Sequence, residues 1–292
     1  MIPTSEFPEV SKLLQIRPPD RLFHYTSPGG LIGIAQSKEI WATNVRYLND
    51  TKELKHAAEV SRNFIANFSN KSKLNKTEER FLATLSQYAG NSSSDIYVVS
   101  LTEKRDLLSQ WRAYCPSTGG FSLGMSSDHL QKVALEQRFF LCPAVYDHQT
   151  QYRLMGEIIL KHIQQLGAEL TEKQADDAAI TCARDISKYG AILKHHSFKE
   201  EAEWRLISES QGVNSPHLSY REGMGTIIPY IKLSLSTPSF PDINRHMQPD
   251  SLLVVVGPTA DYSAASFATQ SLGHNCFPPG WAMGRSECPY RG

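Results

Sequence analysis

The sequence predicts a single α+β domain spanning residues 1–292, with a helical insertion near 148–195. Three observations carry this. Strand-like stretches recur from Leu22 to Val256 and alternate with helical ones. Two long helical patterns, His148–Leu166 and Thr171–Lys194, stand side by side with no strand between them. Neither an internal repeat nor a Pro-, Gly- or Ser-rich linker divides the chain.

In order along the chain, Leu22–Ser27 reads as a strand ended by Pro28-Gly29-Gly30. Ser27 suits a helix N-cap with Pro28 at the first helical position, and Leu31, Ile34 and Ala35 form the buried stripe. Ile40–Thr43 is a second strand, followed by irregular Asn44–Asp50 and a helix from Thr51 carrying Leu54, Ala57, Ala58, Val60, Phe64 and Ile65. A loop over Asn67–Lys76 precedes a helix over Thr77–Tyr88. Ile96–Leu101 is a strand, Leu107–Tyr114 a short helix, and Phe121–Met125 and Phe139–Tyr146 are strands. After the two long helices come a Glu-rich strand at 200–207 and strands at Thr226–Leu233 and Leu252–Val256. The last is wholly apolar and suits an interior position. Tyr262–Leu272 closes the series as a helix.

Bulk chemistry narrows the function. The 30 basic and 30 acidic side chains cancel, which leaves no global field to draw nucleic acid or an anionic membrane. The first residues lack a basic, then apolar, signal pattern, and no run of about 18 apolar residues could span a bilayer. The 5 cysteines are scattered, with no C-x-x-C pair, which reads as reduced thiols in a cytoplasmic protein. No G-x-G-x-x-G, P-loop, G-x-S-x-G or H-E-x-x-H element is present, and no metal is expected.

Residues Glu200–Ile207, E-E-A-E-W-R-L-I, hold the chemistry. Read as a strand, they put Glu201, Glu203 and Arg205 on one face and Ala202, Trp204 and Leu206 on the other. Two carboxylates then lie about 7 Å apart beside a guanidinium, close enough for their environments to separate their pKa values. The plainer reading is a sheet surface with cross-strand ion pairs. In His24-Tyr25-Thr26-Ser27, His24 and Thr26 share a strand face and can hold a polar ligand; the plainer reading is a satisfied core histidine and a cap. Asp50 and Glu53 fit a capping box, which leaves Asn44, Arg46 and Asn49 unassigned. Trp111 and Tyr114 sit at packing positions of a helix but could stack on a flat ring, and Arg112 could pair with phosphate.

Taken in order, L-F-H-Y-T-S, I-W-A-T-N, L-N-D-x-x-E, L-x-Q-W-R-x-Y, G-G-F-S-L-G, F-x-x-E-x-E-W-R-L and S-x-C-P-Y-R-G resemble a bacterial family known as domain of unknown function 2971. Its Asn-Asp-Pro-Phe-Glu type element is represented here by Asn49-Asp50-Thr51-Lys52-Glu53, without the proline and aromatic. The order of strand histidine, middle aromatic and late E-x-E strand also resembles the ADP-ribosyltransferase superfamily. That resemblance implies a mixed/antiparallel split β-sheet core with flanking helices, and NAD as substrate. It casts His24 and Thr26 at the adenosine ribose, Trp111 or Tyr114 on nicotinamide, Glu203 as the catalytic carboxylate and Glu201 as its helper. Arg46 or Arg112 would neutralise pyrophosphate, with Tyr25 and Asn44 completing the NAD contacts.

The implied activity is ADP-ribosyl transfer or NAD hydrolysis in a toxin or phage-defence effector. It would have a protein or nucleic-acid acceptor, and a protein partner or antitoxin. Competing readings are a Mg²⁺ nuclease built on Asp50, Glu53, Glu201 and Glu203, and a non-catalytic module that binds a nucleotide or a partner protein.

Overall fold

The structure, a computed structural model, describes residues 5–48, 52–89, 95–167, 170–223, 225–236, 252–277 and 281–289, with backbone only at 52–54. Its helices are α1 (Pro8–Leu14), α2 (Pro28–Ser37), α3 (Lys52–Lys71), α4 (Lys76–Tyr88), α5 (Leu108–Tyr114), α6 (Ser127–Glu136), α7 (His148–Gln164), α8 (Glu172–Gly190) and α9 (Tyr262–Cys276). Its strands are β1 (Arg21–Thr26), β2 (Glu39–Asn44), β3 (Tyr97–Thr102), β4 (Phe121–Ser126), β5 (Phe139–Pro143), β6 (Glu203–Ser208), β7 (Leu218–Gly223), β8 (Thr226–Ser234), β9 (Leu252–Val256) and β10 (Ala282–Arg285).

These strands form one open, mixed sheet with the order β10-β9-β4-β1-β3-β2-β8-β7, and β6 lies between β3 and β5. Among the strands of the described residues only the β9–β10 pair is parallel; the other strand pairs are antiparallel. The chain is therefore α+β, as the sequence indicates, with a mixed, largely antiparallel open sheet and flanking helices. β9, the all-apolar strand, is interior, held between β4 and β10.

The sheet faces two cores. On one side Val98, Phe140, Cys142 and Ile207 pack against Val60, Phe81, Leu85, Leu154, Ile158, Cys182 and Ile186, from α3, α4, α7 and α8. The helical segment near 148–195 is thus α7 and α8, and α8 lies against α4 rather than standing apart. On the other side Val99, Leu101, Leu123, Leu206 and Val254 meet Leu31 and Ile34 of α2 and Leu130 and Ala134 of α6. Burying each Val, Leu, Ile or Phe side chain among these contributes about 1.5–3 kcal/mol.

The feature that positions the site is a fork. β3 pairs with β6 along Val98–Thr102, but its other edge is shared. β2 takes the start of that edge (Thr43↔Val98, Asn44↔Tyr97), and β1 touches only its end (Phe23↔Thr102). Between these two contacts β1 and β2 diverge, and the edge of β3 at Val99–Leu101 faces the gap.

The structure departs from the sequence reading in several elements. α1, α6, β7 and β10 were not expected. α6 follows β4 without a loop, because Ser126 serves both as the strand's last residue and as an N-cap accepting from the His129 amide. α3 extends to Lys71, so the expected loop over Asn67–Lys76 shrinks to a few residues. α8 stops at Gly190, which places Lys194 outside the helix.

Candidate functional site

A cleft of about 800 Å³ opens at the fork. It is lined by His24–Thr26 of β1 and the Ser27 cap of α2, by Glu39–Trp41 and Thr43 of β2, and by Val98–Ser100 of β3. Tyr114 closes it from α5 and Arg221 from β7, with Lys194, Phe198, Glu201 and Arg205 from the segment around β6. A smaller recess of about 30 Å³ shares His24, Tyr25, Ser100, Tyr114 and Glu201 with the cleft and reaches Glu203. Its polar walls and size suit a water molecule or two.

On the β1 side, strand alternation and the turn into α2 do the positioning. The imidazole of His24 is half-buried, and its Nδ1 lies 3.0 Å from the carbonyl of Ser100 on the open edge of β3. A carbonyl only accepts, so Nδ1 carries the proton and Nε2 is left as an acceptor. Burial holds the imidazole pKa below its ordinary value, which keeps the ring neutral. Tyr25 is held rigidly: its hydroxyl donates to the carbonyl of Lys104 at 2.9 Å and accepts from the amide of Leu107 at 2.8 Å. Thr26 precedes the Ser27 cap, whose Oγ accepts from the amide of Gly30 at 3.2 Å. A Cβ at Gly30 would overlap Thr26 Oγ1, whereas one at Gly33 would meet nothing within 4 Å, so α2 turns a bare face to the cleft.

The Glu-rich segment differs from the expected strand. A 3-10 turn runs from His196 to Glu201, Ala202 is left-handed (φ 42), and β6 begins only at Glu203. The two carboxylates nevertheless converge, through a turn and a shared cation rather than through strand alternation. Lys194 Nζ donates to Glu201 Oε2 at 2.5 Å and to Glu203 Oε2 at 2.6 Å. Arg205 grips Glu203 with both arms, Nε to Oε1 at 2.8 Å and Nη2 to Oε2 at 2.9 Å. Two anions and two cations so balance inside the protein, where any one alone would be costly.

Thr102 Oγ1 donates to the Glu201 carbonyl at 2.5 Å and pins the turn. Burial opposes the charge on Glu203, but Arg205 and Lys194 outweigh it and hold the carboxyl well below its ordinary range. Burial likewise opposes the charge on Lys194, and Glu203 overrides it and keeps the ammonium charged. Both oxygens of Glu203 are engaged. Glu201 Oε1 has no hydrogen-bond partner among the described residues, and Glu201 lines both the cleft and the recess.

The middle element contributes Tyr114 rather than Trp111. Tyr114 is half-buried and lines both spaces; burial, then the negative charge of Glu203, pushes its hydroxyl up to about 12, so it stays a neutral donor. Trp111 is buried beneath Tyr25, with ring centroids 4.5 Å apart, and its Nε1 donates to Asp106 at 2.6 Å. It lines neither space and acts as packing, the plainer of its two readings. Arg112 and Arg46 are exposed and outside both linings. Asn44 is buried and caps the 3-10 turn Val45–Tyr47, its Oδ1 accepting from the amide of Arg46 at 3.0 Å. Asn49 and Asp50 lie outside the described residues, as does the side chain of Glu53.

Sequence reasoning missed Lys194, Trp41, Phe198 and Arg221 as cleft residues. For Lys194 one signal existed: two buried acids beside a single arginine leave a negative charge that demands a second cation. Of the four carboxylates in the nuclease reading, Glu201 and Glu203 are bridged by this ammonium, while Asp50 and the Glu53 side chain lie outside the described residues. Among the described residues no cluster of three or more His, Cys, Asp or Glu side chains is arranged to hold a metal, and no helix is long and apolar enough to cross a membrane.

A family comparison falls on the segment holding this charge cluster and Tyr114. Residues 110–206 match the model of a family described as a protein of unknown function, DUF2971. The match includes Tyr114, Lys194, Glu201, Glu203 and Arg205, and excludes His24 and the rest of the β1 side. No curated protein and no solved structure matches the chain.

Proposed function

We propose that the cleft binds NAD and that the protein breaks its nicotinamide–ribose bond, passing ADP-ribose to water or to an acceptor in the manner of the ADP-ribosyltransferase superfamily. The observation that carries this reading is convergence. His24, Tyr114 and Glu201 come from remote parts of the chain and meet at one cleft, in the gap where the sheet forks. A cavity of about 800 Å³ is within the range for a dinucleotide-sized ligand.

In this reading Glu201 is the catalytic carboxylate and Glu203 positions it. Glu203 has both oxygens committed to cations, while Glu201 keeps one oxygen open. That oxygen accepts from the ribose 2′-hydroxyl and stabilises positive charge as the anomeric carbon becomes oxocarbenium-like. The C1′–N bond breaks and its electron pair leaves on neutral nicotinamide. In the hydrolytic branch a water in the recess bonds to C1′, and its proton passes to Glu201. Tyr114 flanks the leaving ring, and neutral His24 accepts a ribose hydroxyl at Nε2. Lys194 fixes the rotamer of Glu201 and balances its charge, so no metal has a part in the step.

Incubating purified protein with NAD and quantifying released nicotinamide tests this. Glu201→Gln lowers turnover by roughly 10²–10³-fold, the usual loss when one group stabilising the transition state is removed. Equal turnover in the variant and the wild type removes Glu201 from the mechanism. NAD binding without nicotinamide release would instead make the domain a nucleotide-binding module.

A further inference from the structure

We propose that Arg221 and Trp41 form a distinct subsite in the cleft, which takes the phosphate and the flat base of a nucleoside diphosphate. It rests on the reading of the cleft as a ligand site and deepens it, by assigning the adenosine-diphosphate half of the ligand to the β2–β8–β7 wing.

Most of the charges lining the cleft are paired. Lys194 and Arg205 are neutralised by Glu201 and Glu203, and Glu39 by Lys232 at 3.4 Å. Arg221 lines the same cleft and makes no ion pair among the described residues. Its Nη2 donates to Thr43 Oγ1 at 3.2 Å, and its Nε is buried without any partner. A buried donor left unsatisfied costs about 1–3 kcal/mol, and a guanidinium fork matches the oxygens of a phosphate. The arginines that the sequence suggested for phosphate, Arg46 and Arg112, lie outside the cleft lining, and Arg221 stands in their stead.

The neighbouring aromatic supplies a second, independent observation. Thr43 pairs with Tyr230 across β2 and β8, and Trp41 lies two residues from Thr43 on the same strand face. One ring face of Trp41 is stacked on Tyr230, centroids 4.4 Å apart and planes at 26°. Trp41 is still 46% exposed, and it borders the cleft. A large apolar ring backed by a second ring, with a nearby guanidinium that makes no ion pair among the described residues, is the pairing that binds a flat heteroaromatic base and its phosphate together.

Titration calorimetry of the purified chain with ADP and with adenosine tests the subsite. The wild type binds ADP more tightly than adenosine. Arg221→Gln weakens ADP by roughly ten- to a hundredfold and leaves adenosine unchanged, while Trp41→Ala weakens both. Arg221→Lys, which keeps the charge but loses the fork, falls between, and it serves if the glutamine variant melts early. Undiminished ADP binding in Arg221→Gln overturns the proposal, as does wild-type protein that prefers adenosine or binds neither probe. The readout is separate from NAD cleavage. Arg221-dependent ADP binding without nicotinamide release leaves this subsite standing and sinks the catalytic reading; NAD cleavage with Arg221-independent ADP binding does the reverse.

Discussion

Replacing Lys194 with methionine tests how the charge cluster is held. The ammonium is buried and makes two short contacts, at 2.5 Å to Glu201 and 2.6 Å to Glu203. Removing one member of a buried ion cluster costs about 3–5 kcal/mol, because the remaining charge loses its compensation. Here Arg205 still grips both oxygens of Glu203, and Glu201 can turn toward the cleft for water, so the lower figure of about 3 kcal/mol applies. At roughly 2–4 °C per kcal/mol for a chain of this order, the melting point drops by about 6–12 °C.

The same substitution has a pH signature. Glu203 titrates below its ordinary 4.5 in the folded state, so its stabilisation is complete above that value and is lost as pH falls through the folded pKa. Without Lys194 the folded value moves back toward the unfolded one. The variant therefore starts less stable at neutral pH and loses less on acidification than the wild type. Urea titrations followed by far-UV circular dichroism at pH 7 and at pH 3 measure both effects. A variant within about 0.5 kcal/mol of wild type at pH 7, with an acid limb parallel to it, would refute the role given to Lys194.

Two further predictions separate binding from folding. Gly33 faces open space in the cleft, so Gly33→Phe keeps or slightly raises the melting point of α2 and its surroundings while weakening NAD binding roughly tenfold or more; unchanged affinity by calorimetry would show that ligand does not occupy this wall. Trp111→Phe loses the bond to Asp106 and some packing under Tyr25, which costs about 2 kcal/mol by denaturation; it leaves NAD turnover intact below the melting range, and a catalytic defect matching that of Glu201→Gln would restore Trp111 to the site.

The parts of the site legible in sequence are those whose geometry is local. Leu22–Ser27 followed by Pro28 names a strand, a cap and a helix start in consecutive residues, and the structure has β1, the Ser27 cap and α2 there. Alternation correctly puts Glu203 and Arg205 on one face of β6 and Trp204 and Leu206 on the opposite core. It fails at Glu201, because Ala202 adopts a left-handed conformation that alanine rarely takes and that no residue type there announces. The acid pair calls for a second cation, but which one answers depends on where α8 ends and how the chain returns beside Val145, and these tertiary facts hid Lys194. Arg221 and Trp41 sit on strands far apart in sequence, and only the β2–β8–β7 pairing brings them to one wall. The fork itself is likewise a matter of which strand takes which part of the edge of β3, and hydrophobic pattern does not encode that choice.

The location of bound NAD in a crystal of the Glu201→Gln variant tests the central claim most directly. The expected density lies in the gap between β1 and β2, with the nicotinamide ribose beside residue 201 and within reach of His24 and Tyr114. NAD bound elsewhere on the molecule, with this cleft empty, would contradict it.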